Sequence, residues 1–191
     1  MFKFFLVSSV VHFEKNALSE AAWILSEYIS IEKFSVRILS VGGLSMLTVD
    51  EPISIPNSIL DRIANLRETE GIRYCSKIIP LEDYFVFSEE KLVTWVSEHN
   101  NRISEHEKWR ITINKRHNNK KSRDIIDLIA KNIKKGTVDL KNPDKIIQIE
   151  IIGKYLGIAI LDSYQIIQFT NLTESTLDSD LKEESIDNDV I

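Results

Sequence analysis

The sequence has few of the residues that cross-link or interrupt small proteins. Its 191 residues include one cysteine, Cys75, four prolines and six glycines. A single cysteine excludes a disulfide framework, a cysteine-based zinc cluster and a Cys-x-x-Cys redox pair. No apolar run approaches the roughly 20 residues of a membrane span. Lys3 interrupts the apolar N-terminus and no small-residue cleavage pattern follows, so we expect no signal peptide and a cytoplasmic protein.

The rest of the composition is typical of a globular protein, with 43% apolar and 28% charged residues. The formal net charge of −5 averages three unlike segments. Residues 1–101 carry 9 basic and 14 acidic side chains, residues 102–172 carry 14 and 8, and residues 173–191 carry 1 and 7. Between Lys108 and Lys135, ten basic residues face only Asp124 and Asp127. This local excess keeps nucleic acid open as a partner despite the negative total.

Residues 1–80 alternate short apolar runs with helical periodicity. Gly42-Gly43 indicates a hairpin, and Gly71 ends the second helical pattern. The order βαββαβ is that of a ferredoxin-like domain, so we predict an α+β fold. The predicted strands are Phe2–Val7, Phe34–Val41, Leu44–Val49 and Ile72–Ile79, and the helices are Asn16–Tyr28 and a segment containing Ile59, Ile63 and Leu66.

Residues 81–172 predict a second, mixed α/β domain. Ser88 and Ser122 are expected N-caps, and Gly136 is expected to end the second helix. The predicted elements are helix Ser88–Glu98, strand Lys108–Lys115, helix Ser122–Lys135 and the strands Ile146–Ile152, Tyr155–Leu161 and Tyr164–Phe169. Trp23, Trp95 and Trp109 are assigned to the core. Residues 173–191 are acidic, lack aromatic residues and are predicted to be disordered. We expect no domain after residue 172, and the tail could compete with RNA for basic side chains.

The connection from Lys115 to Arg123 reads KRHNNKKSR and joins a strand to the start of a helix. Cations at a helix N-terminus oppose the helix dipole, each at a cost of typically 0.3–1 kcal/mol when exposed. A phosphate bound there would relieve this conflict, because unpaired backbone N–H groups at a helix start bind anions. The pattern alone leaves two interpretations open, a nucleic-acid surface or a solvated basic loop.

The next residues carry a family resemblance. Val138-Asp139-Leu140-Lys141-Asn142-Pro143-Asp144 leads into the apolar run Ile146–Ile151, which contains Glu150. This stretch resembles the signature of the THUMP domain, an RNA-binding module of tRNA-modification proteins. The likeness covers roughly residues 75–172. Within that family it is closest to the stand-alone adaptors of tRNA cytidine N4-acetylation.

The resemblance implies a non-enzymatic adaptor that binds the acceptor stem and 3′ end of tRNA and presents tRNA to a separate acetyltransferase. From the residues themselves, we expect no catalytic residue, no metal and no cofactor in this chain. The resemblance also implies RNA contacts by a set of basic and amide side chains, namely Arg110, Lys115, Arg116, Asn118, Asn119, Lys120, Lys121 and Arg123. Residues matching the motif itself (Val138, Asp139, Leu140, Asn142 and Pro143) are expected to be structural, with Asn142 and Pro143 fixing a turn.

Three alternatives remain. The chain could be the RNA-binding subunit of another tRNA-modifying system, such as a split methyltransferase or a thiolation enzyme. It could be a small-molecule regulatory module built on the ferredoxin-like half, although such a sensor has no need of the positive charge between Lys108 and Lys135. An enzyme is disfavoured, because no phosphate-binding glycine motif, nucleophile–base pair or metal-ligand spacing is present.

Overall fold

A computed structural model describes residues 1–66 and 70–169. Within these residues the chain has ten β-strands in two five-stranded sheets and four α-helices, so the predicted α+β class is confirmed. The chain divides into two compact units. The N-terminal unit comprises residues 5–79 with the described residues from 167 onward, and the C-terminal unit comprises residues 1–4 and 80–166. The acidic tail predicted at 173–191 lies outside the described residues. None of the described helices is long and apolar enough to cross a membrane.

The first half of the chain follows the predicted order of elements. These are β1 (Phe2–Ser8), α1 (Glu14–Ile29), β2 (Phe34–Ile38), β3 (Leu44–Ile53), α2 (Asn57–Ala64) and β4 (Lys77–Leu81). Strands β2 and β3 pair antiparallel with Phe34 opposite Val49, which confirms the hairpin predicted from Gly42-Gly43. In its turn, Gly43 has φ +75° and donates its N–H to Glu14 Oε1 at 2.6 Å.

Strand β4 begins at Lys77 and not at Ile72 as predicted. The reason is a carboxylate on helix α1. The backbone N–H groups of Arg73, Tyr74 and Cys75 all donate to Glu20, at 2.8, 3.0 and 2.7 Å. Because these donors are bound to a side chain, this segment turns around the carboxylate before the strand begins.

Leu18, Ala21 and Leu25 follow a helical spacing in the sequence, and helix α1 buries all three on one face. Trp23 was assigned to the core, and this prediction is wrong, because its side chain is 38% exposed. A lone cysteine in an apolar segment is expected to be buried. Cys75 is fully buried, and burial raises the pKa of its thiol.

The C-terminal unit holds the second sheet and two helices. Its elements are β5 (Asp83–Val86), α3 (Glu89–His99), a short 3-10 turn, β6 (Lys108–Arg116), α4 (Ser122–Ala130), β7 (Thr137–Val138), β8 (Lys145–Ile152) and β9 (Tyr155–Asp162). The strand order is β5-β9-β8-β6-β7. Strand β6 runs parallel to both β7 and β8, whereas β9 is antiparallel to β8 and β5. Helix α4 is therefore the crossover that a parallel pair requires.

One face of this sheet forms the core of the unit. Leu92 and Trp95 of α3 and Ile125 and Ile129 of α4 pack with Trp109 and alternate apolar residues of β8 and β9. Burying an aliphatic side chain of this size typically contributes about 1.5–3 kcal/mol. The predicted cap of α3 is confirmed, since Ser88 Oγ accepts the Lys91 N–H at 3.1 Å. The periodicity of α4 predicts that Ile125, Ile126, Ile129 and Ile133 are buried, and this is wrong for Ile126, which is 38% exposed.

Two predicted boundaries in this half of the chain are wrong. Helix α4 ends at Ala130 and not at Lys135. Asn132 Nδ2 donates to the Leu128 carbonyl at 2.8 Å, and the Asn132 N–H donates to the Ile129 carbonyl, three residues earlier, in place of a helical partner four residues earlier. The run Tyr164–Phe169 was expected to close the second unit. Only Ile167 and Gln168 form a strand (β10), and it pairs antiparallel with Ile78 and Lys77 of the first sheet, whose strand order is β10-β4-β1-β3-β2.

Gly136 generates the first prediction. Its φ is +74°, and an added Cβ would lie 2.5 Å from the Glu107 carbonyl oxygen and 2.9 Å from Trp109 Cδ1. We expect Gly136→Ala to lower the free energy of unfolding by about 3 kcal/mol, from left-handed backbone strain and overpacking together. Gly153→Ala is the matched control, with φ +57° and open space around the new methyl group. It should cost only about 1 kcal/mol. Equal losses in urea denaturation would contradict the steric contribution.

Candidate nucleic-acid interface

The basic loop, residues 117–121, connects the end of β6 to the start of α4. Because β6 and β8 are parallel, their carboxyl ends lie at the same edge of the sheet, with Arg116 opposite Ile152. The turn after β8 therefore lies beside the loop. The Gly153 N–H donates to the Arg116 carbonyl at 2.9 Å. Loops at the carboxyl ends of parallel strands are a common place for ligand sites.

Asn118 fixes the conformation of the basic loop. Its Nδ2 donates to the Gly153 carbonyl at 2.9 Å, and its Oδ1 accepts the Lys120 N–H at 2.9 Å. Lys115 Nζ donates to the Lys120 carbonyl. The amide of Asn118 is thus used inside the protein, and the ammonium group of Lys115 is directed at the loop backbone. These two predicted contact residues brace the loop in this structure.

Arg116 belongs to a buried polar network. Its Nη1 lies 3.1 Å from Glu150 Oε2, while Asn114 Nδ2 and Gln148 Nε2 each donate to Glu150 Oε1 at 2.6 Å. Glu150 is fully buried and Arg116 is 35% exposed. Burial raises the pKa of the Glu150 carboxyl, and the three donors offset this effect only in part. Arg116 therefore neutralises an interior charge and is not a freely exposed cation.

Three predicted cations project from the start of α4 toward solvent: Lys120, Lys121 and Arg123. Lys120 makes an exposed ion pair with Glu89, with 3.6 Å between Nζ and Oε1, and its Nζ lies 4.8 Å above the Phe87 ring. Exposed pairs of this kind are worth at most about 1 kcal/mol, so a phosphate can compete for Lys120. Lys121 and Arg123 have no hydrogen-bonding or ionic partner among the described residues.

The start of α4 also leaves backbone donors open. The N-cap position is occupied by Lys121, whose side chain makes no capping hydrogen bond, so the predicted Ser122 cap is wrong. The first N–H groups of a helix are then available to an anion, with the dipole in their favour. Asn119 is exposed in the same loop. A cavity of about 140 Å³ lies here, lined by Glu89, Lys120, Lys121, Asp124, Ile125 and Leu128.

The structure does not bring Arg110 to the loop. It lies six residues before Arg116 on the same strand, which at about 3.3 Å per residue separates the two by roughly 20 Å. Arg110 Nη1 donates to the Leu140 carbonyl at 3.2 Å, and its Nε is buried without a partner among the described residues. The seven other predicted residues lie within Lys115–Arg123.

The motif after β7 is a turn centred on Asp139. Its Oδ1 accepts the N–H groups of Lys141 and Asn142, both at 2.9 Å, and its Oδ2 lies 3.2 Å from Lys108 Nζ. These hydrogen bonds, led by that from Asn142, lower the pKa of Asp139. Asp139 fixes the turn, a role that was assigned to Asn142 and Pro143. Val138 and Leu140 are 60% and 70% exposed.

Sequence reasoning did not single out Glu150 as part of the site. A usable signal was present in the run Ile146–Ile152, where Gln148 and Glu150 are the only polar residues and lie two apart. A period of two places both on one face of a strand. Two polar residues on the same face of an otherwise apolar strand indicate an interior hydrogen-bond network, because such groups are seldom buried without partners.

A comparison with known protein families finds a match in the C-terminal unit. Residues 88–161 match the family model of the THUMP domain, so the chain contains a THUMP domain, and the resemblance drawn from residues 138–151 is confirmed at that level. No curated protein matches the chain in sequence.

Several solved structures have a similar fold. PH1313 from Pyrococcus horikoshii Ot3 is 18% identical with a TM-score of 0.55, covering 87% of this chain and 55% of its own. TrmN from Thermus thermophilus is 12% identical with a TM-score of 0.51, covering 82% and 45%. A 4-thiouridine synthetase in complex with RNA and ATP is 17% identical with a TM-score of 0.50, covering 88% and 42%. The chain thus spans about half the length of these structures.

The raised pKa of Glu150 generates the second prediction. Burial gives the Glu150 carboxyl a higher pKa in the folded chain than its ordinary value in the unfolded chain. As the pH rises from about 4.5 through the folded pKa, the unfolded state loses its proton first, so the wild type loses stability. Glu150→Gln does not titrate. The free energy of unfolding of this variant, relative to wild type, should therefore increase from pH 4 to pH 7 in urea titrations. A flat or falling difference would contradict the raised pKa.

Proposed function

We propose that this chain is a non-catalytic tRNA-binding adaptor, which presents the acceptor stem and 3′ end of tRNA to a separate modifying enzyme. The main observation in support of tRNA binding is a group of exposed cations at the start of α4, within a THUMP domain. These are Lys120, Lys121 and Arg123. A THUMP domain implies tRNA binding in the context of modification. The similarity in fold to a synthetase solved with RNA supports the same ligand.

The physical basis of binding is charge neutralisation. Each lysine or arginine that neutralises a phosphate releases condensed counterions, which supplies affinity without reading sequence. Open N–H groups at the start of α4 add donors for a phosphate oxygen. Selection of tRNA would then come from the shape of the acceptor stem and from its unpaired 3′ end.

We further propose that the N-terminal unit is a ferredoxin-like domain that accompanies the THUMP domain. Two observations support this assignment. The elements follow the order βαββαβ, and the strands they form lie in the order β4-β1-β3-β2 within the first sheet. This places the hairpin strand β3 next to β1, as expected when two βα halves share one sheet.

The reaction served is proposed to be N4-acetylcytidine formation, carried out by a partner acetyltransferase with its own acetyl donor. The support is the resemblance of residues 138–151 to the adaptors of that reaction. A methylation or thiolation partner is the second candidate. It is favoured by the similarity in fold to a possible methylase from Clostridium difficile 630 and to the 4-thiouridine synthetase.

The third prediction tests the site. Changing Lys120, Lys121 and Arg123 together to glutamine should weaken binding to a tRNA transcript at least about tenfold. It should also lower the magnitude of the slope of log K against log salt by about 2–3, since each phosphate contact contributes about 0.7–0.9. The measurement is fluorescence anisotropy between 50 and 200 mM salt.

The control for this experiment carries the same charge change at the other end of α4. Lys131, Lys134 and Lys135 are exposed cations that follow the last turn of the helix. Changing them to glutamine removes three charges from the same unit, and we expect a smaller loss and a slope close to that of the wild type. Equal losses in the two triple variants would mean that the affinity comes from overall charge and that the site is misplaced.

The fourth prediction identifies the reaction. Deleting the gene in its native host should abolish N4-acetylcytidine in tRNA while other modified nucleosides remain, as measured by mass spectrometry of digested tRNA. Loss of a methylated nucleoside or of 4-thiouridine instead would identify the second candidate. Complementation with the triple variant of Lys120, Lys121 and Arg123 should fail to restore the lost nucleoside, and the triple variant of Lys131, Lys134 and Lys135 should restore it.

A further inference from the structure

We propose that Glu150 is a positioning residue for RNA binding. It holds Arg116 and, through the turn after β8, sets the conformation of the basic loop that presents Lys120 and its neighbours to phosphate. This inference rests on the proposed function. It assigns to an interior carboxylate, which RNA never touches, control over the affinity of an exposed cationic site.

Stability does not account for a charge at this position. Glu150 is fully buried in the middle of β8, where its neighbours Ile149 and Ile151 are fully buried too. Taking a carboxylate out of water costs several kcal/mol, and buried ion pairs can often be replaced by apolar residues with no loss of stability. Stability does not require this charge, yet Glu150 accepts hydrogen bonds from Asn114, Arg116 and Gln148. This arrangement is consistent with a role in positioning these three donors.

Direct contacts connect this carboxylate to the loop. Arg116, held by Glu150 Oε2, accepts the Gly153 N–H on its carbonyl. Gly153 in turn accepts Asn118 Nδ2, and Asn118 Oδ1 accepts the Lys120 N–H. Each step is a hydrogen bond of 2.9 to 3.1 Å, and each hydrogen bond shares a residue with the next one. If Arg116 loses its partner Glu150, the end of β6 loses its fixed geometry. The two hydrogen bonds that Asn118 makes with Gly153 and Lys120 are then no longer held in place.

Positioning and simple electrostatics predict opposite signs for one substitution. Glu150→Gln removes a negative charge near a site for polyanions, so electrostatics alone predicts tighter RNA binding. Positioning predicts weaker binding, by about tenfold, the equivalent of one charge-assisted hydrogen bond. Asp124→Asn is the matched control, because Asp124 is exposed beside Lys121 and lies outside the network. It makes the same charge change and should bind RNA more tightly.

The salt dependence separates positioning from contact. Arg116→Gln should weaken binding to a tRNA transcript and leave the slope of log K against log salt unchanged. If Arg116 itself neutralises a phosphate, the magnitude of the slope falls by about 0.7–0.9. In both variants, amide exchange of Lys120 should become faster, because its hydrogen bond to Asn118 is no longer held in place.

A second variant covers the case in which Glu150→Gln fails to fold. Asn118→Ala lies in the loop, leaves the buried charge intact and removes the hydrogen bonds to Gly153 and Lys120. It should weaken binding with an unchanged slope, in a variant whose circular dichroism spectrum matches that of the folded wild type.

The outcomes are distinguishable from those of the proposed function. If the wild-type chain does not bind the transcript, the proposed function and this inference fall together. If the wild type binds and folded Glu150→Gln binds as tightly or more tightly, only the inference is overturned. Unweakened binding by Asn118→Ala, or a reduced slope for Arg116→Gln, would overturn it as well.

Discussion

The arrangement of the site depends on the parallel pairing of β6 with β8. Eight consecutive register pairs join the two strands, from Trp109 opposite Lys145 to Arg116 opposite Ile152. Parallel neighbours must be joined by a crossover, so the chain has to leave β6 through a loop, form α4 and return. The basic loop, the start of α4 and the turn after β8 are consequently at one edge of the sheet. No antiparallel hairpin could place these three segments together.

This pairing divides the predicted cations into two groups, one paired with a buried carboxylate and one exposed to solvent. Arg116 lies 3.1 Å from the fully buried Glu150 carboxylate, so its charge is paired with a group from which water is excluded and which salt screens only weakly. Lys120 makes only an exposed pair, and Lys121 and Arg123 extend into solvent. If Arg116 left Glu150 to bind a phosphate, the buried carboxylate would lose its ion-pair partner, at a large cost in free energy. An exposed lysine or arginine gives up only water when it binds a phosphate, which costs little. Under the proposed function, the affinity for RNA is therefore expected to come from the exposed group.

Local patterns in the sequence predicted the elements well and the long-range pairing poorly. The period-two strand at Lys108–Lys115, the cap at Ser88 and the hairpin at Gly42-Gly43 follow from neighbouring residues. Strand β10 pairs with β4, roughly 90 residues earlier, and a two-residue strand carries no periodicity that could predict a partner. The basic loop was predicted from its charge. The roles of Arg116 and Asn118 were not predicted, because their partners, Glu150 in β8 and Gly153 just after it, lie 34 and 35 residues later in the chain.

The geometry of the site favours an extended polyanion over a small anion. A compact phosphate seated in the cavity beside α4 would meet the carboxylates of Glu89 and Asp124 as well as the two lysines. An extended RNA backbone need not enter this cavity, because its phosphates can contact Lys121 and Arg123 along the exposed rim. Exposed charges further away than about 8 Å are largely screened at physiological salt, so the net charge of −5 has little influence at this rim. Under both proposals, recognition depends on the few cations that the loop holds toward solvent, and the hydrogen bonds behind the loop determine which cations these are.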